Sequence, residues 1–183
     1  MYARLEGGPS VFTIAAKSIE ALHVFPIDAL AFFDRTILAV PAETVQRISL
    51  SRPGVEQSVS RAAGGPWSPA ARSQRILDTQ RIDDFLSTLA NLRALRIEKR
   101  NPENLASYGL DAPAATITIG LSGREGIQKS VLIGFRAGTE GVYAMVRGQN
   151  VVFVMAMDVA ERLSQDLVVP ANANTPPSAT PAP

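Results

Sequence analysis

Apolar and polar positions alternate with a period of two in several short stretches of this chain, and others at helical spacing stand between them. Tyr2-Ala-Arg-Leu-Glu changes side residue by residue, Gly7-Gly8-Pro9-Ser10 supplies a turn, and Val11-Phe-Thr-Ile resumes an extended run, which predicts a hairpin. A short helix should follow over Lys17 to Val24, where Ile19, Leu22 and His23 share one side. Pro26 interrupts it, and Ile27 to Phe33 reads as a further helical turn or a packed connection. Val45, Ile48 and Leu50 fit a strand with an irregular start, and Val55 to Arg61 fits its partner across Arg52-Pro53-Gly54. Gly64 to Pro69 is read as a loop. Ile82, Phe85, Leu86, Leu89 and Leu92 then make one apolar stripe, predicting a helix over Asp78 to Ala94 that Asp78 or Thr79 caps and that must face a sheet.

Leu95 and Ile97 alternate with Arg96 and Glu98, as in a half-exposed strand. Asn101 to Ala106 is expected to form a short helix that ends at Tyr108-Gly-Leu-Asp-Ala-Pro: Gly109 suits a left-handed closing residue, and Pro113 blocks continuation. Four strands are predicted next, Ala114 to Leu121, Ile127 to Phe135, Gly141 to Arg147 and Val151 to Met155, with glycine-rich connections suited to antiparallel hairpins. A helix over Ala156 to Leu167 leads into a Pro/Ala-rich stretch, Pro170 to Pro183, with nothing to bury. The expected fold is α+β: antiparallel hairpins form a twisted sheet on which two or three helices pack.

Two of these segments are alike. At constant spacing Tyr2 to Leu22 and Tyr143 to Leu163 share Tyr2/Tyr143, Ala3/Ala144, Gly7/Gly148, Val11/Val152, Phe12/Phe153, Ala15/Ala156, Glu20/Glu161 and Leu22/Leu163. The reading is therefore residues 1–40 as the C-terminal part of a preceding repeat, 41–169 as a complete repeat and 170–183 as a disordered tail, cut from a longer protein. Two strands precede the second hairpin but not the first. The first is thus expected to borrow a sheet edge or leave one open.

At 183 residues with 46% apolar and 19% charged residues, the chain has the make-up of a globular protein with one sizeable core. Lys and Arg total 18 against 17 Asp and Glu, so no strong field draws a polyanion and nucleic-acid binding is not expected. The absence of cysteine removes disulfides, thiolate chemistry and cysteine-held zinc. Val151 to Met157, the longest apolar run, falls far short of the roughly 20 residues that cross a bilayer. No signal peptide is legible, so the chain as written reads as soluble.

His23 is the single histidine, which excludes a histidine pair within one chain and suits a helix end. Gly120, Gly123 and Gly126, and again Gly134, Gly138 and Gly141, precede strands rather than a helix N-terminus, so they read as hairpin turns and not as a phosphate cradle. Asp83 and Asp84 diverge by about 100° on a helix and cannot share a proton; they read as first-turn acids. Asp111 is expected to bond backbone amides in its turn. Arg93, Arg96, Lys99 and Arg100 form the densest basic stretch and read as a solvated face. Trp67 reads as an aromatic lid on the core edge, with an exposed ligand platform as the alternative.

Trp67-Ser-Pro, the helix around Phe85 and Leu89, Tyr108-Gly-Leu-Asp-Ala-Pro, Leu132-Ile-Gly-Phe and Val142-Tyr-Ala stand in the order seen in the bacterial family called domain of unknown function 4340. About Val45 to Leu167 resembles that family, and Tyr2 to about Leu38 resembles the end of a preceding unit. The resemblance implies a repeat-containing protein with an N-terminal membrane anchor and an extracytoplasmic body, often beside ABC-type transport components of the gliding-motility kind. It carries over no catalytic residue, and this chain shows no anchor.

The expectation is a non-enzymatic scaffold or accessory module without cofactor or metal, whose partners are an upstream repeat or membrane transport components. The alternative is a peptide- or glycan-binding module that uses a sheet edge or the Trp67 loop. Trp67, Tyr108, Gly109, Asp111 and Pro113 are the candidate structural or interaction residues.

Overall fold

The computed structural model describes residues 2–4, 11–13, 30, 33–69, 75–122 and 127–170. The chain divides into two compact units, Met1–Asp34 and Arg35–Pro183, a few residues before the boundary read from the sequence. In the first unit, β1 (Tyr2–Arg4) and β2 (Val11–Thr13) pair antiparallel as a two-stranded sheet. The predicted hairpin is present. Among the described residues these two strands form a two-stranded sheet. The helix expected over Lys17 to Val24, with His23, lies outside the described residues.

An eight-stranded antiparallel sheet dominates the second unit, in the order β6-β5-β4-β10-β11-β12-β13-β9. These strands are β4 (Val45–Arg52), β5 (Val55–Ser60), β6 (Ser68–Pro69), β9 (Arg96–Arg100), β10 (Ala115–Leu121), β11 (Gln128–Ala137), β12 (Gly141–Val146) and β13 (Val151–Ala156). Pro53-Gly54 joins β4 to β5 with Gly54 at φ 74°, a backbone angle that glycine adopts at little cost. The irregular start of β4 has a cause: after a 3-10 turn at Ala42–Thr44, the register shifts opposite Gly120 and Leu121, and Val45 turns inward. Ile48, Leu50, Val59, Ile117, Ile119 and Val131 fill the core on one sheet face.

The two described α-helices are α1 (Thr79–Ala90) and α2 (Met157–Leu163). Asp78 caps α1 by accepting from the Arg81 amide, and Ile82, Phe85, Leu86 and Leu89 are buried. The helix stops four residues short of the predicted Ala94, because Asn91 leaves helical geometry at φ −146°. Leu92 nevertheless stays buried in β8 (Leu92–Arg93), which pairs with β3 (Thr36–Leu38). Periodicity alone cannot tell these two ways of burying a leucine apart. Because the helix starts at Thr79, Asp83 and Asp84 fall beyond its first turn, where no acid stands, and Asp78 is the acid at the helix start.

Four further differences concern the ends of elements and short turns. Asn101 adopts φ 51° and the Asn104 side chain accepts from the Ala106 amide, which delays the expected helix to a 3-10 turn at Ala106–Tyr108. Ser68–Pro69, read as loop, makes a short edge strand on β5, a place where proline costs no ladder bond. α2 ends at Leu163, before the predicted Leu167, and Val168–Pro170 becomes β14, paired with β7 (Arg75–Leu77). Pro170 therefore belongs to a strand, while residues 171–183 lie outside the described residues.

The two hairpins that look alike in sequence share a register. Tyr2 faces Thr13 as Tyr143 faces Val154, and Ala3 faces Phe12 as Ala144 faces Phe153. A slip of one residue would send every side chain to the other face, so this agreement is a sensitive one.

Candidate functional site

The most distinctive sequence segment, Tyr108 to Pro113, is held against the sheet by close backbone approach. The Leu105 carbonyl accepts from the amides of Tyr108 and Leu110, and Gly109 closes the turn at φ 66° with its own amide on the Ala106 carbonyl. A Cβ at Gly134 would lie 2.1 Å from the Tyr108 carbonyl oxygen, and one at Gly109 would lie 2.6 Å from the Phe135 ring. Neither side can therefore carry a side chain. Leu110 is thereby seated among Leu132, Met145 and Val152, with Leu105, Tyr108 and Tyr143 packed around them. The Tyr108 and Tyr143 rings meet edge to face at 5.0 Å.

Three motifs far apart in the chain, Tyr108 to Pro113, Leu132 to Phe135 and Val142 to Ala144, thus converge on one packing knot. Asp111 stands exposed at its rim without a side-chain hydrogen bond or ion pair among the described residues, so the expected bonding to turn amides is absent. Pro113 is half-buried just before β10. Trp67 lies elsewhere, half-buried at the start of β6. The Arg61 guanidinium sits 4.7 Å from its ring centre, held there by bonds to the carbonyls of Val45 (2.8 Å) and Ala42 (2.5 Å). One face of the indole is accordingly occupied by the protein itself.

Two further groups of polar residues form a clamp and a groove. Gln57 is 5% exposed; its side-chain oxygen accepts from the amides of Leu167 (2.8 Å) and Val168 (3.3 Å), and its Nε2 donates to Asp166 (2.7 Å). Arg52 pairs with the same Asp166 carboxylate. A groove of about 360 Å³ lies between α1 and α2, lined by Ser87, Thr88, Asn91, Leu92, Arg93, Val159 and Arg162. The Arg162 guanidinium on Asp158 holds that carboxyl below its ordinary value. Of the basic stretch, Arg96 is paired with Glu98 at 3.2 Å and Glu140 at 2.9 Å, while Arg93 borders the groove. Among the described residues no group of three or more His, Cys, Asp or Glu stands together to hold a metal ion.

A family model, Domain of unknown function (DUF4340), matches residues 1–99 and, a second time, residues 67–168. The chain belongs to this family. No curated protein and no solved structure matches it. In this DUF4340 chain no described helix is long and apolar enough to cross a membrane.

Two features of the DUF4340 chain escape the sequence reading. Gln57 carried a usable signal: it alternates in step with Val55 and Val59, so a polar group stands at an inward position of the strand. The groove carried none, since Arg93 and Arg162 come together only through the packing of α1 on α2.

Proposed function

We propose that this chain is a non-enzymatic, extracytoplasmic repeat module that serves as scaffold or accessory domain in a membrane-associated transport system. The observation that carries the structural role is the packing knot: Tyr108, Gly109, Leu110, Leu132, Gly134 and Tyr143 are engaged with one another rather than turned toward a reacting group. The repeat reading draws on the common register of β1–β2 and β12–β13 and on the two overlapping family matches. On that reading the first hairpin is the end of a unit of which Arg35 onward forms a fuller example. The setting beside transport components, and the partners that follow from it, draw on the family resemblance alone.

The peptide- or glycan-binding alternative gains little from Trp67, one ring face of which Arg61 covers. The test is fractionation of the producing cells with an antibody against this chain, combined with protease added from outside the cytoplasm. The gene product is expected in the membrane fraction and open to the protease. Recovery in the cytosolic fraction, protected from protease, overturns the extracytoplasmic reading.

A further inference from the structure

The groove between α1 and α2 is a concave surface that neither the packing knot nor the Gln57 clamp uses. Its polar groups are unequally engaged. Thr88 donates its hydroxyl to the Asp84 carbonyl, and Arg162 is paired with Asp158. Ser87, Asn91 and Arg93 make no side-chain hydrogen bond or ion pair among the described residues. Half-buried Val159 supplies the apolar part, while Leu92, 1% exposed, lies below the surface. Two guanidinium groups and one carboxylate leave a surplus of one positive charge, carried by Arg93.

We propose that this groove binds a carboxylate borne by an acidic peptide, with Arg93 as the charged fork, Asn91 and Ser87 as neutral donors, and Val159 beneath the side-chain stem. A planar guanidinium meets a carboxylate through two parallel bonds, which favours this ligand geometrically. The charge balance points the same way: with Arg162 neutralised by Asp158, the one surplus positive charge of Arg93 matches a monoanion. A volume of about 360 Å³ lies near the small end of ligand sites, which run from roughly 300 to 1,000 Å³. That is room for one acidic side chain or chain terminus. The proposal deepens the accessory-module reading by giving it a docking point, yet the binding step is measured independently of where the protein resides.

The experiment titrates the full chain, ¹⁵N-labelled and at low ionic strength, with N-acetyl-glutamate methylamide, its glutamine counterpart and inorganic phosphate. Saturable shifts of the Asn91, Arg93 and Arg162 amides are expected with the glutamate compound only. Arg93→Gln should weaken that binding about tenfold, the effect of losing a charge-assisted pair, and Arg93→Lys should weaken it less, while the exposed position leaves the melting temperature unchanged. Any of four results overturns the proposal: no saturation, an equal response to the glutamine compound, phosphate bound as tightly, or full affinity in Arg93→Gln. Membrane fractionation is untouched by any of them, so the two readings can fail separately.

Discussion

The face of the large sheet that carries Leu132 and Met145 is built in two contrasting halves. Across β5, β4, β10 and β11 the residues Ser58, Ser49, Thr118 and Ser130 stand directly opposite one another, all half-buried. Their hydroxyls bond in pairs, Ser49 with Ser58 and Thr118 with Ser130, each at 3.0 Å. On the other half, Leu132, Met145 and Val152 occupy the same face and are sealed by the turn that brings in Leu110. A row of hydroxyls satisfies itself, but a row of apolar side chains must find a cover. The cover in turn demands Gly109 and Gly134, because the turn can approach the strand only where side chains are absent. The glycine and tyrosine motifs that stand out in the sequence mark this seal.

Gly134→Ala tests the seal most severely. With a Cβ 2.1 Å from the Tyr108 carbonyl oxygen, backbone must move, and a loss of about 3 kcal/mol in urea unfolding is expected. An unchanged midpoint would mean that the turn is not pressed against β11. Leu110→Ala comes next, at about 2.5 kcal/mol, since a buried leucine leaves a cavity among Leu132, Met145 and Val152. The hydroxyl half should be far more forgiving. A double-mutant cycle on Ser49→Ala and Ser58→Ala is expected to give a coupling of about 0.5 kcal/mol, and a value near 2 kcal/mol would erase the contrast between the halves.

The smallest effect lies away from the sheet. Asp158, held below the ordinary carboxylate value by Arg162, should return toward it in Arg162→Gln, as followed by carboxyl NMR. Because its folded value is depressed, any stability it lends is present above the unfolded value and fades as the pH falls through the folded one. At a fully exposed site, the titration rather than the melting curve carries the signal.

How much of this was legible depended on whether the cause was local. Alternation located β10 to β13 to within one or two residues, and the stripe from Ile82 to Leu89 located α1, because each pattern is set by the face that its own segment buries. The ends of elements were less legible. α2 stops at Leu163, and the stretch after it is held by the Gln57 carboxamide, which takes the amides of Leu167 and Val168 across more than a hundred residues. The motif residues Tyr108, Gly109 and Pro113 were legible as a group, but their purpose was not, since the turn and β11, which exclude side chains at Gly134 and Gly109 respectively, are brought together by tertiary packing. Asp111 was read as a turn stabiliser, yet its carboxylate is turned to solvent.

The outermost strands of the large sheet, β6 and β9, have a consequence for how such a protein meets others. β6 is two residues long and ends in Pro69, while β9 carries Arg96, Glu98, Lys99 and Arg100 and breaks register against β13 between Ile97 and Lys99. Each is a poor template for a newcomer strand. Lateral growth into a ribbon through either of these two strands is thereby discouraged.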